Sequence, residues 1–294
     1  MTSARSPALT TQTYRERLPA PSLSELASCV WVQSVSREGP EFAHRTVPNG
    51  CIEIACMKGS RGVSVTGPRR KPLVRCLPPG ATVVGVRLRP GVRADVIGAA
   101  ATELTDSALN LDELWGRSAV ATAERIALAA TPSDAARVLE QDLAARCSPA
   151  PARDPLAAEI VGRLQPWESG GVGELTSELF MSSRQLRRRC VATFGFPPKT
   201  LHRILRFQGF LSLAQAFMHR EVGLAWLAAA AGYFDQAHLT RDCGALAGVT
   251  PRAFLEEMRA SCGANHDHRV SLAAARRALV ANRVASLDEL RAAR

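Results

Sequence analysis

Hydrophobic positions recur at two different spacings along this chain. In the first third they alternate with polar residues or run in short blocks: Cys29-Val-Trp-Val-Gln33, Cys51-Ile-Glu-Ile-Ala-Cys-Met57, Gly62-Val-Ser-Val-Thr66, Leu73-Val-Arg-Cys76 and Thr82-Val-Val-Gly-Val-Arg-Leu88. Glycine and proline separate the blocks at close intervals, which predicts a small antiparallel sheet or partial barrel. Ser22 followed by Glu25 fits a capping box, opening a short helix with Leu23, Leu26 and Ala27 on one face. After Pro90-Gly91 the spacing lengthens, and Ala94–Ala101, Leu111–Trp115, Ala119–Ala130 and Ser133–Ala145 read as helices. Thr131-Pro-Ser-Asp134 supplies a helix start, and Cys147-Ser-Pro-Ala-Pro-Ala-Arg-Asp-Pro155 reads as a linker.

Beyond the linker every periodic segment is helical. Leu156, Ile160, Val161 and Leu164 form one stripe, and Val172–Leu179 forms a short helix. Met181-Ser-Ser-Arg-Gln-Leu-Arg-Arg-Arg-Cys190 then opens a helix capped by Ser182 or Ser183. Arg184, Arg187 and Arg188 share its outer face, while Leu186, Cys190 and Phe194 lie opposite. Phe194-Gly-Phe-Pro-Pro198 stops it, and Lys199 to His219 forms a long helix. Gly223–Ala231, a break at Gly232 and Asp235–Ala247 repeat the plan. In this second copy Leu239, Cys243 and Leu246 are inside; Gln236, Ala237, Thr240 and Arg241 are outside. Thr250-Pro251 opens a last helix, and the tail from Ser261 holds an Ala/Arg-rich candidate, Leu272–Val284. The periodicity therefore predicts an α+β chain, with a β-then-α domain over residues 14–146 and an all-α domain after the linker at 147–155. Residues 1–13 are expected to be disordered and 258–294 to form a basic helical tail.

Composition changes the picture through charge. The formal net charge of +10 favours a polyanionic partner, either nucleic acid or an anionic membrane surface. No run approaches the roughly 18 apolar residues of a membrane span, and Met1-Thr-Ser-Ala-Arg-Ser6 lacks the apolar core of a secretion signal. A cytoplasmic protein with no membrane association is the expectation. Between Met181 and Arg220 stand eight Lys or Arg and no Asp or Glu. A guanidinium fork fits guanine O6 and N7 as well as phosphate. Glutamine pairs with adenine, and threonine or alanine touches a thymine methyl. A short apolar helix, a tight turn and a polar-faced helix make a helix-turn-helix, whose second helix enters the major groove. Two such units on one long helix would sit about one DNA turn apart, roughly 34 Å.

The segment Gly232-Tyr-Phe-Asp-Gln-Ala-His-Leu-Thr-Arg241, followed by Gly248-Val-Thr-Pro251, resembles the signature of the AraC/XylS family of bacterial transcription regulators. Leu175-Thr-Ser-Glu-Leu-Phe-Met-Ser-Ser-Arg-Gln-Leu-Arg-Arg-Arg189 resembles that family's first helix-turn-helix, and Gly195, Pro198 and Arg206 fit its connecting region. The resemblance covers residues 156–257 and implies a seven-helix DNA-binding domain with two reading helices. By position it assigns Ser182, Ser183, Arg184, Arg187 and Arg188 to the first DNA contact, and Gln236, Ala237, Thr240 and Arg241 to the second. Val47-Pro-Asn-Gly50 and Gly85-Val-Arg-Leu-Arg-Pro-Gly91 are similar to the N-terminal domain of one branch of the family. The implied partner is promoter or operator DNA. RNA polymerase, a small-molecule effector at the N-terminal domain and a second copy of the chain are compatible with it. The chain departs from the family at Cys190 and Cys243, where a core Phe is usual, and at Asp242 and Gly244. Asp242 is expected to weaken phosphate contacts, so that the first reading helix dominates affinity.

Two other functions compete. One is a DNA-directed thiol-transfer or repair enzyme with a nucleophilic cysteine, which needs a low-pKa thiol in a polar setting. The apolar neighbours of Cys29, Cys51 and Cys56 argue against it, and a non-enzyme is expected. The other is a non-specific basic nucleic-acid binder, with equal affinity for any duplex at a given salt. None of the eight cysteines forms a CxxC pair, and Cys262 with His266 and His268 lacks the second cysteine of a zinc pattern. No metal or cofactor is expected. Trp31 and Trp115 are expected in the core, and His44 on the surface or packed.

Overall fold

The computed structural model describes residues 12–92, 96–147, 154–166, 171–218, 222–261, 266–267 and 270. The N-terminal domain is built on a seven-stranded sheet of order β8-β5-β4-β7-β2-β1-β9. The strands are β1 (Gln12–Arg17), β2 (Ala27–Val35), β4 (Glu53–Met57), β5 (Ser64–Thr66), β7 (Thr82–Leu88), β8 (Ala108–Asn110) and β9 (His266–Asp267). A separate pair, β3 (Phe42–Thr46) with β6 (Leu73–Leu77), stands off the sheet as an antiparallel ribbon. Neighbours in the large sheet are antiparallel except β1 and β9, which run parallel.

Alternation along the strands gives this sheet two unlike faces. Val30, Ile54, Cys56, Val65, Val84, Val86 and Leu88 turn to one side and join a buried apolar cluster. It is closed by α1 (Ala101–Leu104), α2 (Asp112–Trp115), α3 (Arg117–Leu128) and α4 (Pro132–Cys147). Tyr14, Trp31, Gln33, Glu53, Ala55, Val83 and Arg87 turn to the other side and line a cleft. The indole of Trp31 lies so close to Gly85 that a Cβ there would stand 2.3 Å from the ring.

The C-terminal domain is all helix: α5 (Pro155–Arg163), α6 (Val172–Glu178), α7 (Ser183–Phe194), α8 (Pro198–Ala216), α9 (Leu224–Ala230), α10 (Gln236–Ala247) and α11 (Pro251–Ser261). Its core gathers Ile160, Leu164, Leu186, Cys190, Phe194, Phe207, Phe210, Leu239, Cys243 and Leu246. Thr250 Oγ1 accepts the Ala253 N–H at 3.3 Å at the start of α11. No helix among the described residues is long and apolar enough to cross a membrane.

Several expectations need correction. Pro21–Leu23 is a single 3-10 turn whose N-cap is Ala20, and Ala27 already begins β2, so Ser22 and Glu25 form no capping box. Residues 96–100 are irregular, and helix begins only at Ala101. β1 takes in Gln12 and Thr13, at the end of the stretch expected to be disordered. His266–Asp267 is not part of a helical tail but a strand beside β1, and Val270 packs against Tyr14 and Trp31. Leu272–Val284 lies outside the described residues, as does most of the linker. Trp115 is a core residue as expected, donating from Nε1 to the Ile97 carbonyl at 2.8 Å. Trp31 is buried too, but on the cleft side.

Candidate nucleic-acid interface

The helix pairs α6–α7 and α9–α10 are built alike. Each second helix has 12 residues, a side-chain cap at its start and a left-handed glycine at its end. Ser182 Oγ accepts the Gln185 N–H at 3.2 Å, while Gln185 Oε1 accepts the Ser182 N–H at 2.8 Å. This reciprocal box leaves Ser183 as the first helical residue. Asp235 Oδ1 accepts the His238 N–H at 2.6 Å at the start of α10. Gly195 (φ 78) and Gly248 (φ 75) close the two helices. Buried Leu186, Cys190 and Phe194 fix which way α7 faces; Leu239, Cys243, Leu246 and Ala247 do the same for α10.

With the inner faces pinned, the outer faces follow. Ser182, Ser183, Arg184, Arg187, Arg188, Gln236, Ala237, Thr240 and Arg241 are all exposed. Thr240 donates its hydroxyl proton to the Gln236 carbonyl at 2.9 Å. Arg189 belongs elsewhere: it pairs with Asp154, the residue that caps α5.

α8 joins the two units. Its 19 residues make it about 28 Å long at 1.5 Å per residue. α8 and α10 are bound by a charge network that the sequence pattern concealed. Asp242 is buried, accepts from Arg203 Nε at 2.6 Å and from Arg206 Nη2 at 3.0 Å. Arg206 also lies 4.6 Å over the Tyr233 ring and 3.0 Å from His238 Nε2. Asp242 therefore faces α8 rather than the groove, and the expectation that it weakens phosphate contacts is withdrawn. Gly244, the other departure, is exposed, with open space where a Cβ would stand.

Cys29, Cys51, Cys56, Cys190 and Cys243 are buried packing residues. Burial pushes the Cys29, Cys51, Cys190 and Cys243 thiols up to about 12 and Cys147 up to about 11. An activated thiol is shifted the other way.

The sheet's polar face meets the helical domain across the cleft, which has a volume of about 240 Å³. At its floor Arg87 donates to Glu53 at 2.7 Å, Glu16 at 3.2 Å and the Tyr14 hydroxyl at 3.3 Å. Gln33 Nε2 donates to Gln12 at 2.9 Å and sits 3.1 Å from His44 Nδ1. Leu211 of α8 and Phe254 and Met258 of α11 form the opposite wall. At the rim the Nε–H of Arg45 is shared between both carboxylate oxygens of Glu257 at 3.0 Å, and Nη1 donates to the Ala247 carbonyl at 2.8 Å. None of this was visible from spacing, because the residues come from eight separate elements.

Comparison with known proteins agrees with this anatomy in the helical part. A family model described as a helix-turn-helix domain matches residues 175–257. A second, described only as a domain of unknown function (DUF6597), matches residues 15–110. No curated protein matches the chain in sequence. Among solved structures, an apo variant of ToxT from Vibrio cholerae is similar at a TM-score of 0.44 and 13% identity, over 78% of this chain and 96% of that one. ToxT from Vibrio cholerae bound to (E)-4-(8-methylnaphthalen-1-yl)but-3-enoic acid is similar at 0.43 and 10%, over 83% and 98%. Residues 175–257 are a helix-turn-helix domain of the AraC type.

Proposed function

We propose that this regulator reads a specific duplex sequence with α7 and α10 laid in successive major grooves. The observation that carries the reading is the orientation of the outer faces. Arg184, Arg187, Arg188 and Arg241 are exposed with no ion pair among the described residues. Other cations of the domain, Arg189, Arg203 and Arg206, are held by Asp154 and Asp242. The fold thus ties down the arginines that build it and leaves the outward ones for a ligand. Selection of duplexes from a random library by the full chain is expected to return one preferred sequence. Arg187→Ala should then relax one position of it and lower affinity by about 1–3 kcal/mol on that duplex. An equal loss on every duplex would reduce Arg187 to a phosphate contact. A duplicated motif in the selected duplexes would be the signature of a dimer.

Ligand control of this DNA binding is the second part of the proposal, supported by the cleft. It lies where the sheet, α8 and α11 meet, so an occupant would touch both domains. Its walls are largely apolar, and Arg87 is already surrounded by Glu16 and Glu53. Trp31 Nε1 is a buried donor with no acceptor among the described residues. A compact apolar molecule carrying one hydrogen-bond acceptor suits such a site better than a strong anion. Molecules of this kind should raise the melting temperature of the full chain. Ala55→Phe, which fills the cleft, should abolish the shift; a shift that survives it would place the ligand elsewhere.

A further inference from the structure

Phe180 and Phe234 are the two most exposed large apolar side chains among the described residues, at 96% and 93%. No other aromatic side chain described is exposed. One lies in each helix-turn-helix, just ahead of the reading helix. Phe180 precedes the cap Ser182 by two residues, and Phe234 directly precedes the cap Asp235.

Neither side chain serves the fold. A residue directly before the cap commonly staples onto the fourth residue of its helix, which in α10 is Leu239. Leu239 is fully buried while Phe234 stands in solvent, so there is no staple. Phe180 is odder still. Its φ is +51, in the left-handed region, where the corresponding turn of the second unit uses Gly232 at φ +78. A bulky residue there is strained, and an exposed aromatic ring is poorly hydrated. Both penalties would vanish with glycine. A strained, exposed side chain that adds nothing to packing points to a contact made outside the chain.

The surroundings say with what. From Met181 to Arg220 there is no acidic residue, and Arg184, Arg187 and Arg188 follow Phe180 within three helical turns. In a helix-turn-helix the start of the second helix lies closest to the base edges. An apolar ring at that point meets deoxyribose and the thymine methyl, the apolar feature of the major groove. We propose that Phe180 and Phe234 are a pair of thymine-reading residues, one per reading helix, each packing on the C5-methyl of a thymine at the border of its half-site. The inference rests on the DNA-reading function above and adds to it a base preference that the arginines do not supply.

The test uses the full chain and the duplex it selects from a random library. Each thymine is replaced in turn by deoxyuridine, which deletes only the methyl group. Two positions, about one helical turn apart, should each weaken binding by between about 3- and 10-fold. Phe180→Ala should lose the same factor on the thymine duplex and become indifferent to deoxyuridine at one position; Phe234→Ala should do so at the other. The dependence on salt should be unchanged, since no charge is removed. Phe180→Gly separates contact from folding: it relieves the left-handed strain, so it should melt no lower than the parent and still bind more weakly. Wild-type protein indifferent to every deoxyuridine overturns the proposal, and this arm holds even if a variant misfolds. Variants that bind DNA normally but fail to regulate transcription overturn it too, in favour of a protein partner. Failure of the wild type to select any sequence would instead sink the DNA-reading function itself.

Discussion

Asp242 shows how one buried carboxylate can be mistaken for a surface one. Its place on α10 is adjacent to Arg241, which is exposed, and one residue turns the side chain about 100° round the helix. That rotation takes it from the groove side to the seam with α8. There it holds Arg203 and Arg206 against the second reading helix. Removing it leaves two guanidinium groups facing a buried seam, which is worse than losing an exposed pair. Asp242→Ala should therefore destabilise the domain by about 3 kcal/mol, read as a drop in denaturant midpoint. A change below about 1 kcal/mol would mean that water already screens the pair. The sequence signalled the inner faces well, because Leu186, Cys190, Leu239 and Cys243 repeat at helical spacing. It could not place Asp242, since a polar residue next to an apolar stripe reads as exposed whichever side it falls.

Polar burial explains what was and was not legible in the secondary elements. The seven helices described in the C-terminal domain follow apolar stripes, and the ends of α7 and α10 carry caps and breakers, Ser182, Gly195, Asp235 and Gly248, that stand out in the chain. β1 carries neither signal. Its buried positions are Gln12, Tyr14 and Glu16, so the inward face is polar and the alternation of hydrophobicity disappears. β3 has the same difficulty, with His44 and Arg45 lining the cleft. These segments are strands because their side chains find partners across the sheet, which only the assembled fold supplies. The joint between α7 and α1 is a similar case. Gly195, read as a helix stop, also permits a close approach: a Cβ would stand 1.8 Å from Thr105 Oγ1 and 2.9 Å from the Ala101 carbonyl oxygen. Gly195→Ala adds that collision to a left-handed φ of 78. A loss of about 2 kcal/mol or more in chemical denaturation is expected. A neutral outcome would mean that α1 can back away from α7.

Across the chain as a whole, the N-terminal domain grips both helix-turn-helix units. α1 abuts the end of α7, and Arg45 spans from the β3 ribbon to the end of α10 and to α11. Gln208 of α8 donates to the Pro48 carbonyl at 2.7 Å between these two points. The relative placement of α7 and α10 is thus set by the sheet domain as well as by α8. This linkage could not be read in advance, because its partners lie up to 212 positions apart in the chain. It has a direct consequence for proteolysis. A cleavage site introduced in the proline-rich run 148–153 should yield two fragments that still migrate as one species on a native gel. They should separate only in denaturant; separation in native buffer would show the interdomain contacts to be weak.

The short parallel pairing of β9 with β1 adds one more tie, and it changes the topology of the problem. His266–Asp267 brings the far end of the DNA-binding domain back to the sheet's first strand. The helical domain is therefore strung like a bridge deck between two piers of the same sheet, one the covalent junction after α4 and the other the β9 seam. A deck held at both ends can twist but cannot swing free. Under the ligand control proposed above, an occupant of the cleft would act on α7 and α10 as torsion, a change in the angle between them, rather than by release of a loose arm.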